Sequence, residues 1–202
     1  MEIILATHNN NKVIEMQRIL NGIFPNLKIM TATEAGFTED VAENGASFEE
    51  NALIKARSVK KHGAISVADD SGLCVPALGN EPGIYSARFA GEPRSDERNN
   101  ALLLEKLSDK ADRSAFFVSV IACILPDGTE FTVEGKADGV ILSKAAGNGG
   151  FGYDPLFFFP PLNKTFAELT TDEKNQVSHR GNALKAFASE LKLRLKQENN
   201  IV

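Results

Sequence analysis

Short apolar runs alternate with stretches of helical period in the first half of the chain, and two long β-rich runs follow in the second. Residues 3–6 form an apolar run of the length of a buried strand. The polar Thr7-His8-Asn9-Asn10-Asn11-Lys12 comes next, and Val13, Met16, Leu20 and Phe24 then recur at helical spacing. The predicted order is therefore strand, polar loop, helix. Ile29 and Met30 predict a short strand ahead of an acidic stretch over residues 34–44. Ser47 and Glu50 form a capping box for a second helix, with Phe48, Ala52, Ala56 and Val59 on one face and Gly63 at the C-terminal end. Residues 64–68 predict a central strand that runs into Asp69-Asp70-Ser71-Gly72. A Pro- and Gly-rich loop over residues 76–92 precedes a helix over residues 96–107.

Residues 116–125 and 129–135 flank Pro126-Asp127-Gly128, the pattern of an antiparallel hairpin. A Gly-rich stretch over residues 147–152 leads into Tyr153-Asp154-Pro155 and the aromatic run Phe157, Phe158 and Phe159. From Thr171 the tail reads as helical, with Lys and Leu spaced as in an exposed amphipathic helix. Strands alternating with helices early, and a hairpin late, give an α/β fold with a mixed sheet. No internal repeat or linker divides the chain, so one domain over residues 1–202 is expected.

Composition narrows the class. At 202 residues and 43% hydrophobic content the chain can bury a sizeable core. Folding at this size removes roughly 70% of the unfolded surface from water, so no disulfide staples are needed. Lys plus Arg number 22 against 27 Asp plus Glu, a net charge of −5, which speaks against a grip on a nucleic-acid polymer. Cys74 and Cys123 are too few and too distant for a disulfide framework and suggest a reducing compartment. The longest apolar stretch, residues 115–125, falls short of the ~20 residues that span a bilayer, and no signal peptide is visible. A soluble cytoplasmic protein without membrane contact is expected.

Four segments could carry chemistry. A strand emptying through Thr7-His8-Asn9-Asn10-Asn11-Lys12 into a helix directs backbone N–H groups at one spot, where an anion is favoured and Lys12 adds charge. The plainer alternative is a solvent-exposed cap. Asp69-Asp70-Ser71-Gly72 lies at the end of the central strand, where ligands gather in open α/β sheets. Adjacent strand residues point to opposite faces, so one carboxylate faces any given site, and a divalent cation is the usual remedy for crowded carboxylates. An Asp-Ser-Gly turn is the alternative there. Glu43, Glu49 and Glu50 are further candidate metal ligands.

Gly147-Asn148-Gly149-Gly150-Phe151-Gly152 matches G-x-G-x-x-G, but Pro155 and a Phe run follow instead of a helix, so the dinucleotide reading fails. A loop presenting Phe151 and Tyr153 as stacking surfaces and Asp154 as an acceptor fits better. Lys174 and Ser178-His179-Arg180-Gly181 gather donors near a helix start, and an Arg, having only donors, can meet a 6-oxo group but cannot pair with a 6-amino group. There is no G-x-x-x-x-G-K-[ST], G-x-S-x-G or H-E-x-x-H, and His8, His62 and His179 lack metal-ligand spacing.

In this order, Thr7-His8-Asn9-Asn10-Asn11-Lys12, Ser47-Phe48-Glu49-Glu50-Asn51-Ala52, Ala68-Asp69-Asp70-Ser71-Gly72-Leu73, Pro82-Gly83-Ile84-Tyr85-Ser86-Ala87-Arg88, Phe151-Gly152-Tyr153-Asp154-Pro155 and Ser178-His179-Arg180-Gly181 resemble the inosine/xanthosine triphosphate pyrophosphatase family. The resemblance runs from near Met1 to the final helix. It implies a two-lobed α/β fold with a long mixed central sheet flanked by helices and the substrate in a cleft between lobes. It also implies a homodimer and Mg²⁺-dependent hydrolysis of ITP, dITP and XTP to the monophosphate and pyrophosphate.

By the same resemblance Thr7, His8, Asn9, Asn10, Asn11 and Lys12 would hold the triphosphate, and Ser71 would contact substrate. Asp70 would be proton acceptor and metal contact, with Glu43 the second metal carboxylate. The residues alone leave Asp69 and Asp70 as alternative bases. Phe151 would stack on the base, Gly152, Tyr153 and Asp154 would shape its pocket, and Lys174, His179 and Arg180 would complete recognition. Donors facing position 6 would exclude ATP by roughly 10⁴-fold or more. Two rivals remain at this point: a pyrophosphatase for modified pyrimidines or dUTP, and a nucleotide-binding protein without turnover.

Overall fold

The computed structural model describes residues 1–7, 10–39 and 41–199, with the side chains of all of these except Asn10, Asn11, Lys12, Glu15, Gln197, Glu198 and Asn199. Among the described residues seven strands form one sheet: β1 (Glu2–Leu5), β2 (Lys28–Thr31), β3 (Ile65–Cys74), β4 (Ser114–Ile124), β5 (Glu130–Ile141), β6 (Phe157–Phe159) and β7 (Lys164–Thr165). Their order is β2-β1-β3-β4-β5-β6-β7. β1 pairs in parallel with β2 and β3, whereas β5–β6 and β6–β7 are antiparallel, so the expected mixed α/β sheet is present. The helices are α1 (Asn10–Asn21), α2 (Phe48–Ser58), α3 (Asp96–Lys106), α4 (Thr171–Val177) and α5 (His179–Asn199).

The residues gather into two compact units. The first comprises the described residues of Met1–Asp70, Ser119–Gly135 and Ala183–Val202. Alternation along β1 sends Ile3 and Leu5 into a cluster with Leu20, Ile121, Phe131, Phe187 and Leu191, and Ile4 into another with Val59 and Ala64. Apolar residues on both faces explain why the strand reads as an unbroken hydrophobic run. The second unit comprises Ser71–Val118 and Lys136–Asn182. Its core holds Leu73, Val75, Leu103, Phe117, Phe157 and Phe166, with the Phe117–Phe157 and Phe157–Phe166 rings tilted at centroid distances of 4.6 and 4.7 Å.

Several expectations are corrected. β3 does not end at a turn: Asp69, Asp70, Ser71 and Gly72 are strand residues, and pairing continues to Cys74. Asn10, Asn11 and Lys12 form the first turn of α1 rather than a loop. α2 ends at Ser58, and Gly63 serves the turn before β3, with φ +77°. Ser47 Oγ accepts from Glu50 N–H as a cap, but the Glu50 carboxylate reaches one residue further, to the Ala46 N–H at 2.7 Å. The hairpin strands are longer than 116–125 and 129–135 because sheet neighbours on each side extend the pairing.

The tail is two helices, and α5 is not merely surface-bound: Ala183, Leu184, Phe187, Ala188 and Leu191 belong to the first unit's core. The break falls at Ser178, which closes α4 through its N–H to Lys174 O (2.8 Å) and caps α5 by accepting from Gly181 N–H at 3.1 Å. A Cβ on Gly181 would sit 2.0 Å from Asn175 O, so only glycine lets the helices join this closely.

Candidate active site

In the first unit, β3 carries Asp69 and Asp70, 6% and 8% exposed, and α2 sets Lys55 beside Asp70. Lys55 Nζ donates to Asp70 Oδ1 at 2.7 Å and lies 3.7 Å from Glu43 Oε2, so one cation serves two carboxylates. Glu43 precedes α2 in a segment tied to that helix. Gly45 N–H donates to the buried Asn51 Oδ1 at 2.8 Å, and Ala46 N–H donates to Glu50. Burial pushes the Asp70 pKa above the ordinary carboxylate value. The Lys55 charge and hydrogen bond oppose that rise, and Glu43 and Asp69 add to it. A buried carboxylate moved in this direction has the character of a base working nearer neutral pH.

Among the described residues no three acidic, His or Cys groups converge as a protein-only metal cage. Mg²⁺ does not demand one, since it is commonly held by one or two carboxylates with phosphate oxygens and water completing its shell. Glu43 and Asp70, both drawn to Lys55 Nζ, supply a hard oxygen set of that size. The donor chemistry therefore fits a Mg²⁺ ion shared with a phosphate ligand.

The second unit holds a different cluster. Phe151 stands at a loop tip with 63% of its surface exposed. Lys174 Nζ lies 4.8 Å from its ring centroid, and the Arg180 guanidinium carbon lies 5.9 Å away, both at cation–π distance. Beneath them the buried Asp154 carboxylate pairs with Lys174 and accepts from Phe151 N–H at 2.9 Å. Gly150 packs so closely here that a Cβ would stand 2.1 Å from Asp154 Oδ2, and its φ of +72° also favours glycine. Arg180 Nη2 donates to Ser71 Oγ at 3.4 Å, while the buried His179 ring stacks on Phe117 at 4.6 Å.

The structure thus groups Asp70 with Glu43, and Phe151, Asp154, Lys174, Arg180 and Ser71 through successive contacts. Asp154 is the acceptor the sequence suggested, though it already serves partners within the chain. Tyr153 is not a stacking surface: it is 4% exposed, lies in the core, and its hydroxyl donates to Ser86 O at 2.8 Å. His179 adjoins the group from within the core. Thr7 follows β1, and its carbonyl accepts from Ala32 N–H at 3.2 Å. His8 and Asn9 lie outside the described residues, as do the side chains of Asn10, Asn11 and Lys12. Sequence reasoning missed Lys55. Its signal was a charge at the edge of the stripe formed by Ala52, Ala56 and Val59, where a solvated lysine would sit further round the helix.

The chain is 48% identical over 198 residues to a dITP/XTP pyrophosphatase of Clostridium perfringens, covering 94% of this chain and 96% of that protein. It is 45% identical over 190 residues to the Bacillus subtilis dITP/XTP pyrophosphatase, covering 93% and 95%. Its fold matches the Staphylococcus aureus Ham1 protein with a TM-score of 0.89 at 42% identity, over 96% of this chain and 100% of that one. Residues 3–190 match the Ham1 family as a whole, and the chain belongs to that family.

Proposed function

We propose that the protein is a Mg²⁺-dependent nucleoside triphosphate pyrophosphatase. It hydrolyses dITP, ITP and XTP to the monophosphate and pyrophosphate, removing deaminated purine nucleotides from the pool, and works as a cytoplasmic homodimer. The observation that carries the reading is a buried Asp70 with a raised pKa, paired with Lys55 beside Glu43, in a chain 48% identical to a dITP/XTP pyrophosphatase.

The phosphate chemistry falls to first-unit residues. Asp70 takes a proton from the water that attacks the α-phosphorus, the bond from the α-phosphorus to the bridging oxygen breaks, and pyrophosphate leaves with that electron pair. Lys55 holds the Asp70 carboxylate in place and offsets the negative charge it shares with Glu43. The first backbone N–H groups of α1 have no partner inside the helix, and with Lys12 they favour the charge growing on pyrophosphate. Mg²⁺, held by Glu43 and Asp70 when bound, supplies Lewis-acid polarisation of the phosphoryl oxygens.

Base selection falls to second-unit residues. The exposed Phe151 ring offers a stacking face, and Lys174 and Arg180 present only donors around it. A 6-oxo purine accepts from such donors, whereas the 6-amino group of adenine leaves them unmatched, a mismatch that discriminates by roughly 10⁴-fold. The test is pyrophosphate release from dITP, XTP, dGTP and dATP with and without Mg²⁺. Release from dITP and XTP but not from dATP, dependent on Mg²⁺, is expected. Equal rates on all four would remove the base-selection argument, and no release from any would remove the enzyme.

A further inference from the structure

The Phe151 loop would be loose if left to its own backbone, since Gly150 and Gly152 flank the ring at φ +72° and +60°. It is instead gripped from α3. Gly152 N–H donates to Asp96 Oδ2 at 2.6 Å, and Gly152 C=O accepts from Asn100 Nδ2 at 2.9 Å. Both polar groups of one residue are thereby held by side chains four apart on one helix face. We propose that Asp96 and Asn100 are positioning residues of the base site, clamping Gly152 so that Phe151 is presented ready to stack on a 6-oxo purine. This rests on the reading of function given above.

Further observations support the clamp. The helix is itself anchored: Asn99 donates to Ser86 O and Ala87 O and accepts from Ala90 N–H, while Leu103 is fully buried. A second i, i+4 pair thus fastens α3 to its own unit and leaves Asp96 and Asn100 on a fixed rail. Asp96 stands in the first turn behind the Ser95 cap, where a carboxylate is favoured by the helix dipole. The Asn100 Oδ1 is buried and has no hydrogen-bond partner among the described residues, so the amide is oriented by its donation to Gly152. A ring fixed before the ligand arrives avoids the ordering cost of binding, so loss of the clamp should appear mainly in KM.

Two readouts test the proposal. Hydrogen exchange at the Gly152 amide reports the clamp without reference to turnover, and steady-state kinetics on dITP report its use. In Asp96→Ala/Asn100→Ala the Gly152 amide is expected to lose protection, and KM for dITP to rise about tenfold with kcat within about twofold. In a Phe151→Ala background the same pair should change KM by less than about twofold, because the effect passes through that ring. Asp96→Asn, which keeps an acceptor oxygen, should restore most of the loss.

Unchanged protection would overturn the proposal. So would an equal KM change in the Phe151→Ala background, which would mark a merely structural role. Wild-type turnover of dITP with unaltered KM in the double variant would overturn the positioning role alone. Absence of wild-type turnover would overturn the function and this role with it.

Discussion

In the first unit one lysine serves two carboxylates, whereas in the second one carboxylate serves a lysine that is itself laid over an aromatic ring. In the first cluster Asp70 stands on a strand and Lys55 on a helix, and burial pushes Asp70 toward the neutral form. The second stands on a loop and a helix junction, and its ring is exposed. The difference separates two tasks. Proton and phosphate chemistry needs a carboxylate fixed on regular backbone and desolvated, while base selection needs an open stacking face surrounded by donors.

The sharpest way to break that division is Asp70→Asn. It should lower kcat for dITP by about 10³-fold or more while nucleotide binding persists, which pyrophosphate release and calorimetry together would check. Next in size is Phe151→Ala. Base–aromatic stacking contributes about 1–3 kcal/mol, so KM for dITP should rise about tenfold or more with a smaller change in kcat.

Removing a buried support rather than a site group should do less. Tyr153→Phe deletes the hydrogen bond to Ser86 O and should cost about 1 kcal/mol, read as a lower Tm, with kcat nearly unchanged.

Stability against pH sharpens the comparison further. Asp70 holds its proton more tightly folded than unfolded, so its contribution falls as pH rises from 3.8 through the higher folded value. Asp70→Asn should therefore raise Tm at pH 7, with the gain shrinking as pH falls toward 3.8. Glu130 behaves oppositely. The Arg57 guanidinium, bonded at 2.6 and 3.0 Å, lowers its pKa, so that contribution is present above 4.5 and lost as pH falls through the folded value. The pair is exposed, so Arg57→Met should cost less than about 1 kcal/mol, the smallest effect here.

What the sequence disclosed follows from which physics is local. Helical period and a capping serine are local, and α2 was legible from them, as was the mixed sheet from the order of elements. Asp70, Glu43 and Phe151 could be singled out as candidates from residue type and motif. Lys55 could not, because its part depends on a strand ten residues further on. Tyr153 was misjudged because an aromatic after glycine suits a stacking loop or a core equally, and only the packing of Leu73, Leu103 and Phe157 decides. The end of β3 was misplaced because Asp-Asp-Ser-Gly favours turns locally, while pairing on the sheet overrides that preference. Asp96 and Asn100 gave no signal beyond an ordinary helix start.

The most direct test of the division of labour is steady-state hydrolysis of dITP and dATP by wild type, Asp70→Asn and Phe151→Ala in Mg²⁺. Asp70→Asn is expected to lower kcat/KM for both nucleotides by the same factor, leaving their ratio intact, and Phe151→Ala to lower the dITP-to-dATP ratio. A ratio shifted by Asp70→Asn and untouched by Phe151→Ala would contradict that division.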